Sequence, residues 1–236
     1  LSKVLNPQPP PYNYTALHWC AACAADADGR ILREVPLPAR GHGFARHPSG
    51  RVGVAMARRP GTFAVAFELD GDAPPMTFHT PKDRHFQGHG VFEPQGRYLF
   101  ATENDYDNER GCIGVYDRAD GYKRVGELPS HGIGAHELIL MPGGKTFAIA
   151  NGGILTHPAS GRAKLNIPTM APNLAYVDLA SGELMDKAEY TLVLKYLMPT
   201  YEMLEWGAGT SSCVWSVFVF RLMSIEHNLK WTAKLQ

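Results

Sequence analysis

The sequence predicts an all-β protein, a β-propeller of four-stranded antiparallel blades in an incomplete ring, and three observations carry that expectation. First, Gly41-His42-Gly43, Gly88-His89-Gly90 and Gly134-Ala135-His136 place their histidines at two successive intervals of 47 residues. Second, each histidine is followed by a Pro/Gly turn: Pro48-Ser49-Gly50, Pro94-Gln95-Gly96 and Pro142-Gly143-Gly144. Third, each turn feeds a short apolar run: Val52 to Ala57, Tyr98 to Thr102 and Thr146 to Ala150. A period of this size marks a unit that buries its apolar face only by stacking on copies of itself. Four short strands in about 47 residues match a propeller blade.

Taken in order, Leu1 to Ala27 carries Pro7, Pro9, Pro10 and Pro11 and then Trp19-Cys20-Ala21-Ala22-Cys23, without the repeat grammar. No basic stretch precedes an apolar core, so no signal peptide is readable there. Residues 28–190 hold the blades. The Gly-His segment is expected just before the first strand of each unit, and the apolar run after the turn is its next strand. A third strand is expected at Thr62 to Asp70, Cys112 to Asp117 and Asn173 to Asp178, from its β-branched and aromatic content. The turns at Asp120-Gly121 and Ser181-Gly182 lead to an outer fourth strand. Val54, Phe63, Val65, Leu99, Phe100, Ile113, Val115, Phe147, Ile149 and Tyr176 are expected between neighbouring sheets. Residues 191–236 form a divergent tail with no Gly-His, the run Cys213 to Phe220 and three of the four tryptophans. Three repeats fall short of the four to eight blades of closed propellers. The first and last blades then offer open edges for self-association, with the tail as the available cover.

Composition narrows the function. The 236 residues hold 23 Lys plus Arg and 23 Asp plus Glu, a net charge of zero, which gives no support for wrapping nucleic acid or coating an anionic membrane. No uncharged apolar span has membrane-crossing length. Cys20 and Cys23 have C-x-x-C spacing but lack a second pair, and Cys112 and Cys213 stand alone.

In a propeller the first strand of each blade lies innermost, beside the central channel, so His42, His89 and His136 should occupy equivalent points at one mouth. The loops joining second to third strands open on the same face. They are read as Ala57-Arg58-Arg59-Pro60-Gly61, Thr102-Glu103-Asn104-Asp105-Tyr106-Asp107 and Ala150-Asn151 through His157. The repeated histidines carry a scaffold reading, since a residue present in every blade is more often structural. The functional weight then falls on polar residues that differ between blades: Arg84, His85, Glu103, Asn104, Asp105, His131, Glu137, Asn151 and His157. Beside that reading stand two others. A divalent metal ion would use His42, His89, His136, Glu103 and Asp105, because imidazole and carboxylate suit first-row transition metals. An anion would use Arg40, Arg58, Arg59 and Arg84 as forks for carboxylate or phosphate.

The strings Leu37 to Gly43, Ala57 to Phe63, Gly88 to Phe92, Thr102 to Tyr106, Ser130 to Glu137, Ala150 to Ile154 and Thr156-His157-Pro158 closely resemble the exported bacterial propellers of domain-of-unknown-function family 1513. The resemblance covers about residues 28–190. It implies a seven-bladed, periplasmic protein, often encoded beside imelysin-like iron-regulated lipoproteins and di-haem peroxidase-like proteins. It implies no established activity. A looser similarity to lactonase-type propellers lies in the His47-Pro48-Ser49-Gly50-Arg51 turn. Three functions follow as expectations: a binding or scaffold protein in periplasmic iron acquisition, holding a metal, a small molecule or a partner protein; a metal-dependent lactone hydrolase with Glu103 or Asp105 as base; or a propeller fragment without function.

Overall fold

The computed structural model describes residues 3–5, 21–25, 28–160 and 163–189. Its elements are almost all strands, grouped in four antiparallel sheets. The first sheet joins β1 (Lys3–Leu5), β2 (Ala21–Ala25) and β3 (Ile31–Pro36). Three four-stranded blades follow. Blade 1 is β4 (Gly41–Arg46), β5 (Val52–Ala57), β6 (Phe63–Glu68) and β7 (Met76–His79). Blade 2 is β8 (Arg84–Phe92), β9 (Tyr98–Asp105), β10 (Arg110–Asp117) and β11 (Lys123–Pro129). Blade 3 is β12 (Ala135–Leu140), β13 (Thr146–Asn151), β14 (Asn173–Asp178) and β15 (Leu184–Glu189). In every blade each strand pairs with the next in sequence, which is the expected four-stranded repeat. The tail from Thr191, expected as a cover for open edges, lies outside the described residues.

The turn chemistry explains why each blade starts as it does. Gly50, Gly96 and Gly144 donate their N–H to the carbonyls of His47, Glu93 and Met141, at 2.8, 3.0 and 3.0 Å. Proline stands at the second position of each turn, where its fixed φ suits a β-turn. The closing glycines have φ of +73°, +74° and +68°, a region that other residues enter at a cost. His47, Glu93 and Met141 then bond back to Val52, Tyr98 and Thr146 and zip up the first hairpin.

The second and third strands are apolar on consecutive residues because each blade is covered on both faces. Val54 and Met56 of β5 pack with Phe86, Leu99 and Tyr116 of blade 2. The intervening Ala55 and Ala57 turn the other way, towards Ala22, Val35 and Leu37 of the first sheet. Phe100 and Ile113 of blade 2 meet Leu138, Phe147, Ile149 and Val177 of blade 3. Of the residues expected between sheets, Val54, Phe63, Val65, Leu99, Phe100, Ile113, Phe147 and Ile149 are buried, and Val115 and Tyr176 are partly buried.

The innermost strands approach closely, with β8 packed against both β4 and β12. Two glycines make this possible. A Cβ on Gly43 would stand 2.2 Å from the Gly88 carbonyl oxygen, and one on Gly88, whose φ is +108°, would stand 2.3 Å from Cδ2 of His42. Gly88→Ala should therefore lower the unfolding free energy by about 2–3 kcal/mol, through backbone strain and overpacking together. Urea denaturation measures it, and a loss below about 1 kcal/mol would contradict the close approach.

Candidate metal centre

Each repeated histidine sits where its inner strand breaks register. The pairing of β4 with β5 slips between Gly41 and Phe44, that of β8 with β9 between Phe86 and Gly90, and that of β12 with β13 between Ala135 and Glu137. Bulges of this kind re-aim side chains. Here the Gly-His segment belongs to the inner strand itself, and the three bulges turn His42, His89 and His136 onto one another. Ring centroids lie 4.8 Å apart for His42 and His89, 5.2 Å for His89 and His136 and 6.0 Å for His42 and His136. One nitrogen from each ring lies within 4.8 Å of the other two, and all three residues are partly buried.

The electrostatics favour neutral imidazoles at His42 and His136. Burial pushes His42 down to about 3, and the charges of His89, Arg58, Arg59 and Arg40 add to the effect. Burial likewise lowers His136 to about 3, followed by His89, His42 and Arg59. Nδ1 of His89 lies 2.8 Å from Oε2 of Glu137, while its buried Nε2 has no hydrogen-bond partner. A carboxylate on one ring nitrogen and a bare nitrogen on the other is the arrangement in which a histidine ligates a metal. Because unfolded histidine titrates near about 6.5, the unfolded chain takes up protons at His42 and His136 before the folded chain does. Stability of the metal-free protein should be full above that pH and fall as pH drops towards about 3. Denaturation of wild type and of His42→Gln/His136→Gln across this window checks the sign, the variant losing less.

The remaining sequence-level candidates lie elsewhere, and the expectation of a polar rim loop is corrected for three of them. Glu103, Asn104 and Asp105 end strand β9 and are 0, 1 and 0% exposed. Glu103 and Asp105 tolerate burial because arginines from neighbouring strands reach them. Glu103 accepts from Tyr116 Oη, from Arg124 Nη2 at 2.9 Å and from Cys112 Sγ at 3.8 Å. Asp105 pairs with Arg84 at 3.1 Å and Arg110 at 2.8 Å. Arg84 is thereby taken from the anion set, engaged by Asp105, Asp83 and Glu127. Glu127, reached by Arg124, Arg110 and Arg84, is held at about 2 against a burial penalty that pushes the other way. Burial, then Glu103, pushes Cys112 up to about 12, and the same causes raise Tyr116. None of these groups belongs to the histidine cluster.

Other candidates stabilise the blade ends. Buried His85 directs Nδ1 at the Phe86 carbonyl, 3.0 Å away, and stacks on Tyr106. Asn104 Nδ2 lies 3.4 Å from His85 Nε2. His131 Nε2 lies 2.9 Å from the Gly182 carbonyl oxygen. Asn151 donates to the Ser130 carbonyl at 2.8 Å and to Asn173 Oδ1 at 2.9 Å. His157 stands 3.5 Å from Asp107 and edge-on to Tyr106. Arg58 follows β5 directly, and its N–H donates to the Arg40 carbonyl at 3.0 Å. Sequence reasoning left Glu137 out of the metal set, although its place beside His136 was a usable signal. It had no signal for Tyr116, Arg124 and Glu127, which meet Glu103 only through cross-strand pairing.

Blades stacked side by side, with inner strands that bring one histidine each to a common point, define a β-propeller. The chain belongs to the family described as protein of unknown function DUF1513, whose profile matches residues 35–196. No curated protein matches it. Among solved structures it is similar to the Kuenenia stuttgartiensis hydrazine synthase, with TM-score 0.53 and 14% identity over 73% of this chain and 43% of that one. It is similar as well to the Dos1 propeller, with TM-score 0.53 and 10% identity over 73% of this chain and 44% of that one. The chain thus spans less than half the length of these two structures, and the likeness is one of fold. Among the described residues no helix is long and apolar enough to cross a membrane.

Proposed function

We propose that the protein is a binding propeller whose inner strands hold a divalent first-row transition ion between His42, His89 and His136. The observation that carries this reading is the convergence of three imidazoles from three blades, with Nε2 of His89 buried and unpartnered while Glu137 holds its Nδ1. Imidazole suits Zn, Cu, Fe and Ni, and three protein ligands leave a position open. Metal–nitrogen bonds of about 2.0–2.1 Å bring tetrahedral ligand nitrogens to about 3.4 Å from one another. Loading therefore draws the rings together from the present spacing of up to 4.8 Å. The family resemblance adds a setting, the periplasm and iron acquisition, in which iron(II) is one such ion. Binding is favoured over hydrolysis because Glu103 and Asp105, the candidate bases, are engaged by Arg124 and by Arg84 and Arg110.

Calorimetry with Zn(II) or Co(II) tests the reading. One ion should bind per chain, and His42→Ala/His136→Ala should abolish binding while circular dichroism still reports a folded β protein. Undiminished binding by the folded double variant would end it.

A further inference from the structure

The three bulges that present the histidines are not alike. In β8, Phe86 pairs with Glu103 and Gly90 with Ala101, so Gln87, Gly88 and His89 stand opposite Thr102 alone. Backbone groups in such a stretch lose their ladder partners, and buried ones need others. Thr102 supplies them to His89. Its hydroxyl accepts from the His89 N–H at 3.3 Å and donates to the His89 carbonyl at 3.1 Å, and the residue is fully buried. One 47-residue period away, β5 and β13 carry Ala55 and Ile149, whose side chains form no hydrogen bonds. The His89 ring is fixed as well. Glu137, from β12 of blade 3, holds Nδ1 through Oε2, 2.8 Å away, while its Oε1 accepts from the Leu138 N–H at 3.2 Å. The rings of His42 and His136 meet the other rings of the triad and, among the described residues, no hydrogen-bond partner.

We propose that Thr102 and Glu137 are positioning residues that set the metal affinity of the site through His89, Thr102 by fixing its backbone and Glu137 by fixing its ring. The inference rests on the metal-binding reading above. Neither residue belongs to the ligand cluster itself. A ligand whose backbone and ring are already held loses little conformational freedom when an ion is loaded, and that saving appears as affinity. The carboxylate adds a second effect. It keeps the proton of His89 on Nδ1, so that Nε2 is the nitrogen left for the ion, and it makes that nitrogen a better electron donor. Partners of this kind are worth about 10- to 100-fold in metal affinity.

Co(II) titration of the whole chain, read by calorimetry and by d–d absorption, tests the assignment. Thr102→Val keeps the shape and removes the hydroxyl, and it should weaken Co(II) at least tenfold. Thr102→Ser, which keeps the hydroxyl, should bind within about threefold of wild type. Glu137→Gln, at a partly exposed position, should also weaken Co(II) at least tenfold, and it carries the test should Thr102→Val not fold. Ile113→Val is the control for a general loss of stability: it trims a buried residue between blades 2 and 3, away from His89, and should leave the affinity unchanged. Co(II) binding within threefold of wild type in folded Thr102→Val and Glu137→Gln, or an equal loss in the Ile113→Val control, overturns this inference and leaves the metal reading standing. Failure of the wild type to bind Co(II) overturns both.

Discussion

Glu103→Leu lowers the unfolding free energy by about 3–5 kcal/mol, the usual result of removing one partner of a buried ion pair. The carboxylate is fully buried, and it accepts from Tyr116, Arg124 and Cys112 at once. Its loss leaves the Tyr116 hydroxyl without an acceptor in the packed space between blades 1 and 2. It also leaves Arg124, whose side chain is 19% exposed, with Glu127 as its remaining carboxylate. Glu103→Leu/Arg124→Met should recover much of the loss, because a buried pair replaced as a unit by apolar groups is often neutral. A double-mutant cycle in urea measures both numbers. If the single variant lost less than about 1 kcal/mol, Glu103 would not be the buried anchor that its contacts describe.

A saturating divalent ion raises the unfolding free energy of the wild type by mass action, by about 2.7 kcal/mol at a hundredfold excess over Kd. The pH dependence of that effect follows from the histidines. His42 and His136 are lowered to about 3, so both are already neutral in the metal-free protein at mildly acidic pH and release no proton on loading. Two of the three ligands thus add nothing to the pH dependence of loading in this range. The slope of log Kd against pH between 5 and 7 should therefore be no steeper than one. A slope near three would mean that all three imidazoles titrate freely, and that the burial described for His42 and His136 does not act on them.

The blades could be read directly from the chain because everything that makes a blade is local. Pro48, Pro94 and Pro142 set the turns, Gly50, Gly96 and Gly144 close them, and each strand pairs with its sequence neighbour. The 47-residue histidine period and the unbroken apolar runs report stacking on both faces, since a run such as Val52 to Ala57 has no polar side to give to water. The chemistry at the strand ends and bulges was harder to read. Glu103-Asn104-Asp105 has the composition of a loop, and it becomes strand only because Arg84, Arg110 and Arg124 arrive from β8, β10 and β11 to neutralise it. A one-residue shift of register sends a side chain to the opposite face, so the bulges at His42, His89 and His136 decide what those side chains meet. Period and turn chemistry thus determine that three histidines lie at equivalent points in three blades. Whether those points touch is a matter of how closely the blades approach. That distance is set by the absence of side chains at Gly43 and Gly88, a contact between strands 45 residues apart that no local pattern encodes.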